Sequence, residues 1–121
     1  LTEHGTTFTV HHDSRARQFQ LLDDATGQVV GRAHYLPHGP AADQRVFFHT
    51  VVEDAYSGRG LAHVLGRGAL EATIADGLKI VPVCPFIKGF IAKHSDEFGE
   101  HAVPVKPAHL EAVRGAGATE D

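Results

Sequence analysis

The chain has 121 residues and a net charge of −4 with histidine neutral, a length that suits one domain around one core. The mild acidity and the lack of a basic stripe exclude duplex nucleic acid as an expected partner and lean toward a cationic one. No apolar run is long enough to span a membrane and no signal-peptide pattern opens the sequence. The single cysteine, Cys84, has no partner for an internal disulfide, which fits a reducing, cytoplasmic setting.

Residues 6–12 (TTFTVHH) alternate as a strand does, and 17–23 (RQFQLLD) form a second strand. A turn at Asp24-Ala25-Thr26-Gly27 joins it to a third, 28–36 (QVVGRAHYL), so the two make an antiparallel hairpin. A looser link over 37–43, with Gly39-Pro40, leads to strand four at 45–52. No stretch before it is long and periodic enough for a helix, so the first half reads as a four-stranded meander.

Strand four runs into Ser57-Gly58-Arg59-Gly60 and then into a helical pattern with Leu61, Val64, Leu65, Ala69 and Ala72 on one face. Gly66 and Gly68 lie inside that helix, where each costs about 1 kcal/mol relative to alanine, which predicts close packing on the sheet. Asp76-Gly77 ends it, with glycine free to take the left-handed cap. A short apolar strand follows at 78–83 (LKIVPV), parallel to strand four because a helix separates them. Pro82 removes a ladder donor, so that strand should be interrupted or splayed there. Cys84-Pro85 opens the next helix with proline in its first turn. Ile87, Phe90 and Ile91 give it an apolar face, and it ends near Lys93-His94. Residues 95–100 read as a polar turn carrying Phe98, 103–105 as extended chain suited to a sheet edge, and 106–121 as a Gly/Ala tail with a frayed end. The domain core is then about residues 6–100.

Glycines at the mouth of a helix let a ligand approach the main chain, and the first helical N–H groups favour an anion such as phosphate. Arg59 adds a positive charge. A dinucleotide fingerprint needs a third glycine where His63 stands, and a P-loop needs a Gly-Lys-Ser/Thr that the chain lacks. The remaining pattern is an acyl-coenzyme A loop, matched at Gly60 and Ala62, with Ser57 where Arg or Gln is usual. A plain strand-to-helix turn is the alternative. The ten histidines, among them His11, His12, His34, His38 and His49, come without an H-E-x-x-H or C-x-x-C pattern, so no metal site is expected.

Three segments in order, Phe48-His49-Thr50-Val51-Val52, Ser57 to Ala62, and Ile80 to Ile87 (IVPVCPFI), resemble a small single-domain branch of the GNAT superfamily of N-acetyltransferases. Lys93-His94 followed by Phe98 fits the same branch, with Ser95 in place of a proline. The resemblance implies an α/β (α+β) fold with a mixed, mostly antiparallel sheet, splayed parallel strands four and five, and two main helices. It implies acetyl-coenzyme A as co-substrate, with its pantetheine arm along the main chain of Val51 and Val52. The diphosphate would rest on Ser57, Gly58, Arg59, Gly60, Leu61 and Ala62, and Phe86, Phe90 and Lys93 would line the same molecule. The acceptor would be an amine on a protein or a small molecule, and the protein a monomer or weak dimer.

The sequence departs from the family where catalysis usually sits. The tyrosine that serves as general acid in the last helix is replaced by Phe90-Ile91, and the early glutamate of strand four by Asp43-Gln44. Weight therefore falls on Cys84, whose helix N-cap position stabilises a thiolate and which lies at the expected splay. It either receives the acetyl group or positions it. His49 and Glu53 share one strand face by period two and are the candidate bases. A coenzyme A-binding module with little turnover is the alternative function.

Overall fold

The computed structural model describes residues 7–117, so Thr6 and the frayed end expected at 118–121 lie outside the described residues. The alternating segments become β1 (Phe8–Asp13), β2 (Gln18–Asp23), β3 (Gln28–His38) and β4 (Gln44–Val52), each antiparallel to the one before. After α1 (Leu61–Ala75), β5 (Lys79–Pro82) joins β4 in parallel, and the sheet order is β1-β2-β3-β4-β5. The chain then forms α2 (Pro85–Lys93), a short α3 (Ser95–Phe98) and α4 (Pro107–Gly115). The fold is the mixed α/β arrangement that the order of elements predicts.

The sheet carries a core on each face. Phe19, Leu21, Ala33, Tyr35 and Phe47 meet Leu65, Ala69 and Leu70 of α1 and Ile87, Phe90 and Ile91 of α2. On the other face Leu36, Val46, Val81 and Val83 meet Val113 of α4. The second core corrects the reading of 106–121 as a tail. Pro107 starts a helix, His109 Nδ1 accepts the Lys106 N–H at 3.0 Å, and His109 Nε2 lies 2.9 Å from Gln44 Oε1. Ala102 makes only a single parallel bridge with Ile80, and Val103 N donates to Ile80 O. Pro104 lacks an N–H, so no edge strand develops at 103–105.

Helix α1 sits close to the sheet because its glycines allow it, though against different partners. A Cβ on Gly68 would stand 2.7–3.0 Å from three side-chain atoms of Val10 on β1. A Cβ on Gly66 would instead meet Phe86 of α2 at 3.1 Å, so that glycine serves helix-on-helix contact rather than the expected helix-on-sheet contact. Val64, expected on the buried face, is 44 % exposed, and Leu70 fills the core in its place. The helix ends as expected: Gly77 (φ 76°) donates to Ile74 O and Leu78 N reaches back to Thr73 O. Buried Arg45 ties that end to the sheet, donating to Thr73 Oγ1 at 3.2 Å and Asp76 Oδ2 at 3.3 Å, with its guanidinium 4.7 Å from the Tyr35 ring centroid.

One irregularity decides what β4 presents. Phe47 pairs with Tyr35, but the next pair is His49 with His34, so Phe48 is an extra residue, a β-bulge. Phe47 points into the α1–α2 core and Phe48 toward the α4 side. His49 then falls beside His34 and Phe48, while Thr50 and Val52 return to the α1–α2 side.

Candidate functional site

After β4 the chain makes one 3-10 turn, Asp54–Tyr56, and then the glycine loop. Ser57 is turned back into the preceding turn: its N–H and its Oγ both donate to Asp54 O, at 3.1 and 2.9 Å. Gly58 (φ 80°) and Gly60 (φ 72°) take left-handed backbone, the conformation that glycine adopts without strain. Gly60 is the N-cap of α1 and offers no side-chain acceptor, while its carbonyl takes the N–H of His63 and Val64. The N–H groups of Gly58, Arg59, Gly60, Leu61 and Ala62 have no hydrogen-bond partner among the described residues. A depression of ≈ 270 Å³ lies against them, lined by the loop with Val52, Tyr56 and His63. Unpaired amides gathered at the positive end of a helix dipole form an anion cradle.

Tyr56 lines that depression and anchors the loop to β2. Its hydroxyl donates to Asp23 Oδ2 at 2.7 Å, which raises the tyrosine pKa above its usual value. Its ring stands edge-on to Phe8 and carries the Arg59 guanidinium 5.2 Å from its centroid.

The second part of the site is the opening between β4 and β5. Their ladder stops at Phe47–Pro82, and Phe47 O then accepts both Val83 N (3.0 Å) and Cys84 N (2.8 Å) as the chain swings into α2. From Phe48 to Val52, β4 continues with no strand beside it on that edge among the described residues. Cys84 is the N-cap of α2, fully buried, and its thiol donates across the opening to Thr50 Oγ1 at 3.4 Å.

The bulge sets His49 apart from Cys84, and Glu53 lies past the end of β4 instead of sharing a strand face with His49. Cys84 and Thr50 lie on the α1–α2 side, whereas His49 stacks on His34 on the opposite side, with ring centroids 5.5 Å apart. Burial first, and the neighbouring His49 second, lower the pKa of His34. Glu53 is exposed at the head of the 3-10 turn, with its N–H donated to Val30 O. Val51 is 41 % exposed, while Val52 packs against the α1–α2 core.

The third part is a groove of ≈ 360 Å³ over α2, lined by His63, Pro85, Phe86, Gly89, Phe90 and Lys93. Phe90 is nearly buried and forms its floor, and the His63 ring stands edge-on to Phe86 at 5.5 Å. Because His63 belongs to both, the groove adjoins the loop depression. Sequence reading missed Thr50, Tyr56 and His63 as site residues. Thr50 sits within the quoted strand motif, and the other two flank the glycine loop; what marks them is contact across the fold.

Three further histidines, His12, His38 and His109, pair with rings and amides. His12 stacks on Phe19 with Nε2 against the Tyr35 hydroxyl, and His38 and His109 share Gln44. A depression of ≈ 340 Å³ beside α4 includes that last pair.

The sequence profile of the GCN5-related N-acetyl-transferases matches residues 18–101. The chain belongs to that family. The matched stretch of this GCN5-related chain runs from β2 to just before α4, so it includes the loop, the opening and Cys84. Protein NATD1 of Gallus gallus is 31 % identical over 106 residues, covering 86 % of the chain and 93 % of that protein. Protein NATD1 of Homo sapiens is 32 % identical over 93 residues, covering 76 % and 79 %. The fold matches the solution structure of a GCN5-like candidate N-acetyltransferase from Staphylococcus aureus, with a TM-score of 0.56 at 21 % identity, over 84 % of the chain and 93 % of that structure.

Proposed function

We propose that this GCN5-related chain transfers an acetyl group from acetyl-coenzyme A to an amine of a protein or small molecule. The observation that carries this reading is the row of unpartnered amides from Gly58 to Ala62, set beside the opening between β4 and β5. The diphosphate rests on those amides, near Arg59. The pantetheine arm takes the free edge of β4 at Val51 and Val52. The groove over α2, with Phe86, Phe90 and Lys93, holds the rest of the coenzyme. No step needs a metal.

The acyl end then reaches Cys84. In direct transfer the amine nitrogen attacks the thioester carbonyl, the carbon–sulfur bond breaks, and the coenzyme leaves as a thiolate that takes up a proton. The attacking ammonium must first lose a proton. His49 and Glu53 are the groups for that task; His49 stands on the sheet face opposite Cys84, the face from which an amine would meet the carbonyl, and Glu53 stands past the end of β4. In the covalent route the Cys84 thiolate attacks the thioester carbonyl and the coenzyme leaves as a thiolate. The deprotonated amine then attacks the Cys84 thioester, the new carbon–sulfur bond breaks, and the cysteine thiolate is restored. A second reading, a coenzyme A-binding module with little turnover, draws support from buried Phe90 and Ile91, which bring no proton to the leaving thiolate.

Calorimetry with acetyl-coenzyme A tests the proposal, on the wild type and on Gly60→Asp. Aspartate is among the side chains most tolerant of left-handed backbone, and its carboxylate near a bound diphosphate should weaken binding about tenfold or more. Equal affinity in the two proteins, or none in either, refutes the cradle. Cys84→Ala separates the routes: binding kept and transfer lost supports the covalent one, and full transfer leaves direct attack. A wild type that binds the coenzyme but acetylates nothing in a panel of amines, with Cys84 itself unacetylated, supports the module.

A further inference from the structure

We infer that Tyr56, held by Asp23, is a positioning residue that sets the glycine loop and presents Arg59 to the coenzyme diphosphate. The inference rests on the coenzyme reading of that loop and deepens it. Asp23 lies at the end of β2 and is only 5 % exposed. Its own turn fixes its carboxylate, because Oδ1 accepts Ala25 N–H at 3.0 Å, and its carbonyl accepts the N–H of Thr26 and Gly27. Oδ2 then faces Tyr56, whose hydroxyl it accepts at 2.7 Å. The hairpin turn between β2 and β3 thus offers a rigid acceptor to a residue directly before the loop.

The tyrosine passes that rigidity on in two ways. Its N–H donates to Glu53 O, so ring and backbone are both fixed where the chain leaves for Ser57. Its ring is pinned edge-on by Phe8 at 6.0 Å and lies under the Arg59 guanidinium at 5.2 Å. Exposed Arg59 is therefore held over the face of a ring that itself lines the loop depression. A long cation held this way loses less conformational freedom when an anion arrives. Gly58 and Gly60, by contrast, meet nothing within 4 Å of a built Cβ, so no packing around those two glycines would hold the loop in shape.

The test compares ligands that share the acyl end and differ in the diphosphate. Tyr56→Phe keeps the ring and removes only the hydroxyl. It should weaken acetyl-coenzyme A by about three- to tenfold, the worth of one hydrogen bond, and leave acetyl-pantetheine unchanged. Asp23→Asn, a second variant for the event that the first folds poorly, should act in the same direction. Combining Tyr56→Phe with Arg59→Ala should cost less than the sum of the single changes, since both act on the diphosphate. Equal weakening of both ligands makes Tyr56 merely structural and overturns the inference. A Tyr56→Phe protein that binds acetyl-coenzyme A as the wild type does overturns it too, with the coenzyme reading intact. A wild type that binds neither ligand overturns the coenzyme reading itself and this inference with it.

Discussion

Alanine at Gly68 and alanine at Gly66 should have opposite effects on stability. Each gains about 1 kcal/mol of helix propensity, because both lie inside α1. At Gly68 the new methyl meets Val10 at 2.7, 2.9 and 3.0 Å, and one of those atoms is the Val10 Cβ. A rotamer change cannot move a Cβ, so β1 itself must shift, and overpacking of this kind costs about 1–3 kcal/mol. The net expected loss is about 1 kcal/mol, or about 3–5 °C in melting temperature for a domain of this size. At Gly66 the methyl meets the far edge of the half-exposed Phe86 ring at 3.1 Å, which can yield by a few tenths of an ångström. There propensity should win, by about 0.5 kcal/mol. Urea denaturation of the two variants checks this, and their difference cancels any shared error in the helix term. Equal shifts in the two proteins would falsify the packing argument. Because Phe86 lines the groove over α2, Gly66→Ala should also change coenzyme affinity, whereas Gly68→Ala should not.

Arg45→Met should cost about 1–2 kcal/mol in chemical denaturation, since it removes the donor to Thr73 and Asp76 and a cation held between Phe19 and Tyr35, while Thr73 keeps its own bond to Ala69 O; Arg45→Lys should recover little, because an ammonium cannot span both partners. The pKa values of His12, His34 and His109 are all lowered, chiefly by burial, so the unfolded chain takes up protons first. Stability from these groups is therefore fully present above about pH 6.5 and falls as pH drops through the folded values, and His109→Gln should make that fall shallower in pH-dependent melting curves. Glu97 behaves alike at lower pH: the Arg67 fork, with two contacts of 3.0 Å, lowers its pKa, so the link between α1 and α3 weakens only as pH falls through the carboxylate range, which titration of the Glu97 side-chain resonance would follow.

Much of the fold was legible because its periods are clean. Alternation marked β1 to β4, and the Asp76-Gly77 stop and Pro82 marked where α1 ends and where β5 leaves the ladder. Helix α4 was hidden because Leu110 and Val113 are too few to show a helical period, and His109, which anchors it, reads as polar. The loop's form was legible in its two glycines. The clamp behind it was not, since Asp23 and Tyr56 meet only once the hairpin has folded. The bulge left no mark either: strand periodicity alone sets Phe47, His49 and Val51 on one face, but the extra residue moves His49 and Val51 to the other.

That single extra residue acts like a change of phase. Before it, odd-numbered positions of β4 face the core under α1 and α2; after it, even-numbered ones do, and Thr50 comes to meet Cys84. Straightening the ladder with Phe48 kept would pair Phe48 with His34 and turn the rest of the strand inside out, carrying the threonine away from the thiol. Deleting Phe48 would instead leave His49 opposite His34 and Thr50 opposite Ala33. The opening between the parallel strands is thus tuned by where the ladder takes up its extra residue as much as by which residues line it, so a homologue that copies the motif but lays it down as an unbroken ladder would inherit the letters without the arrangement.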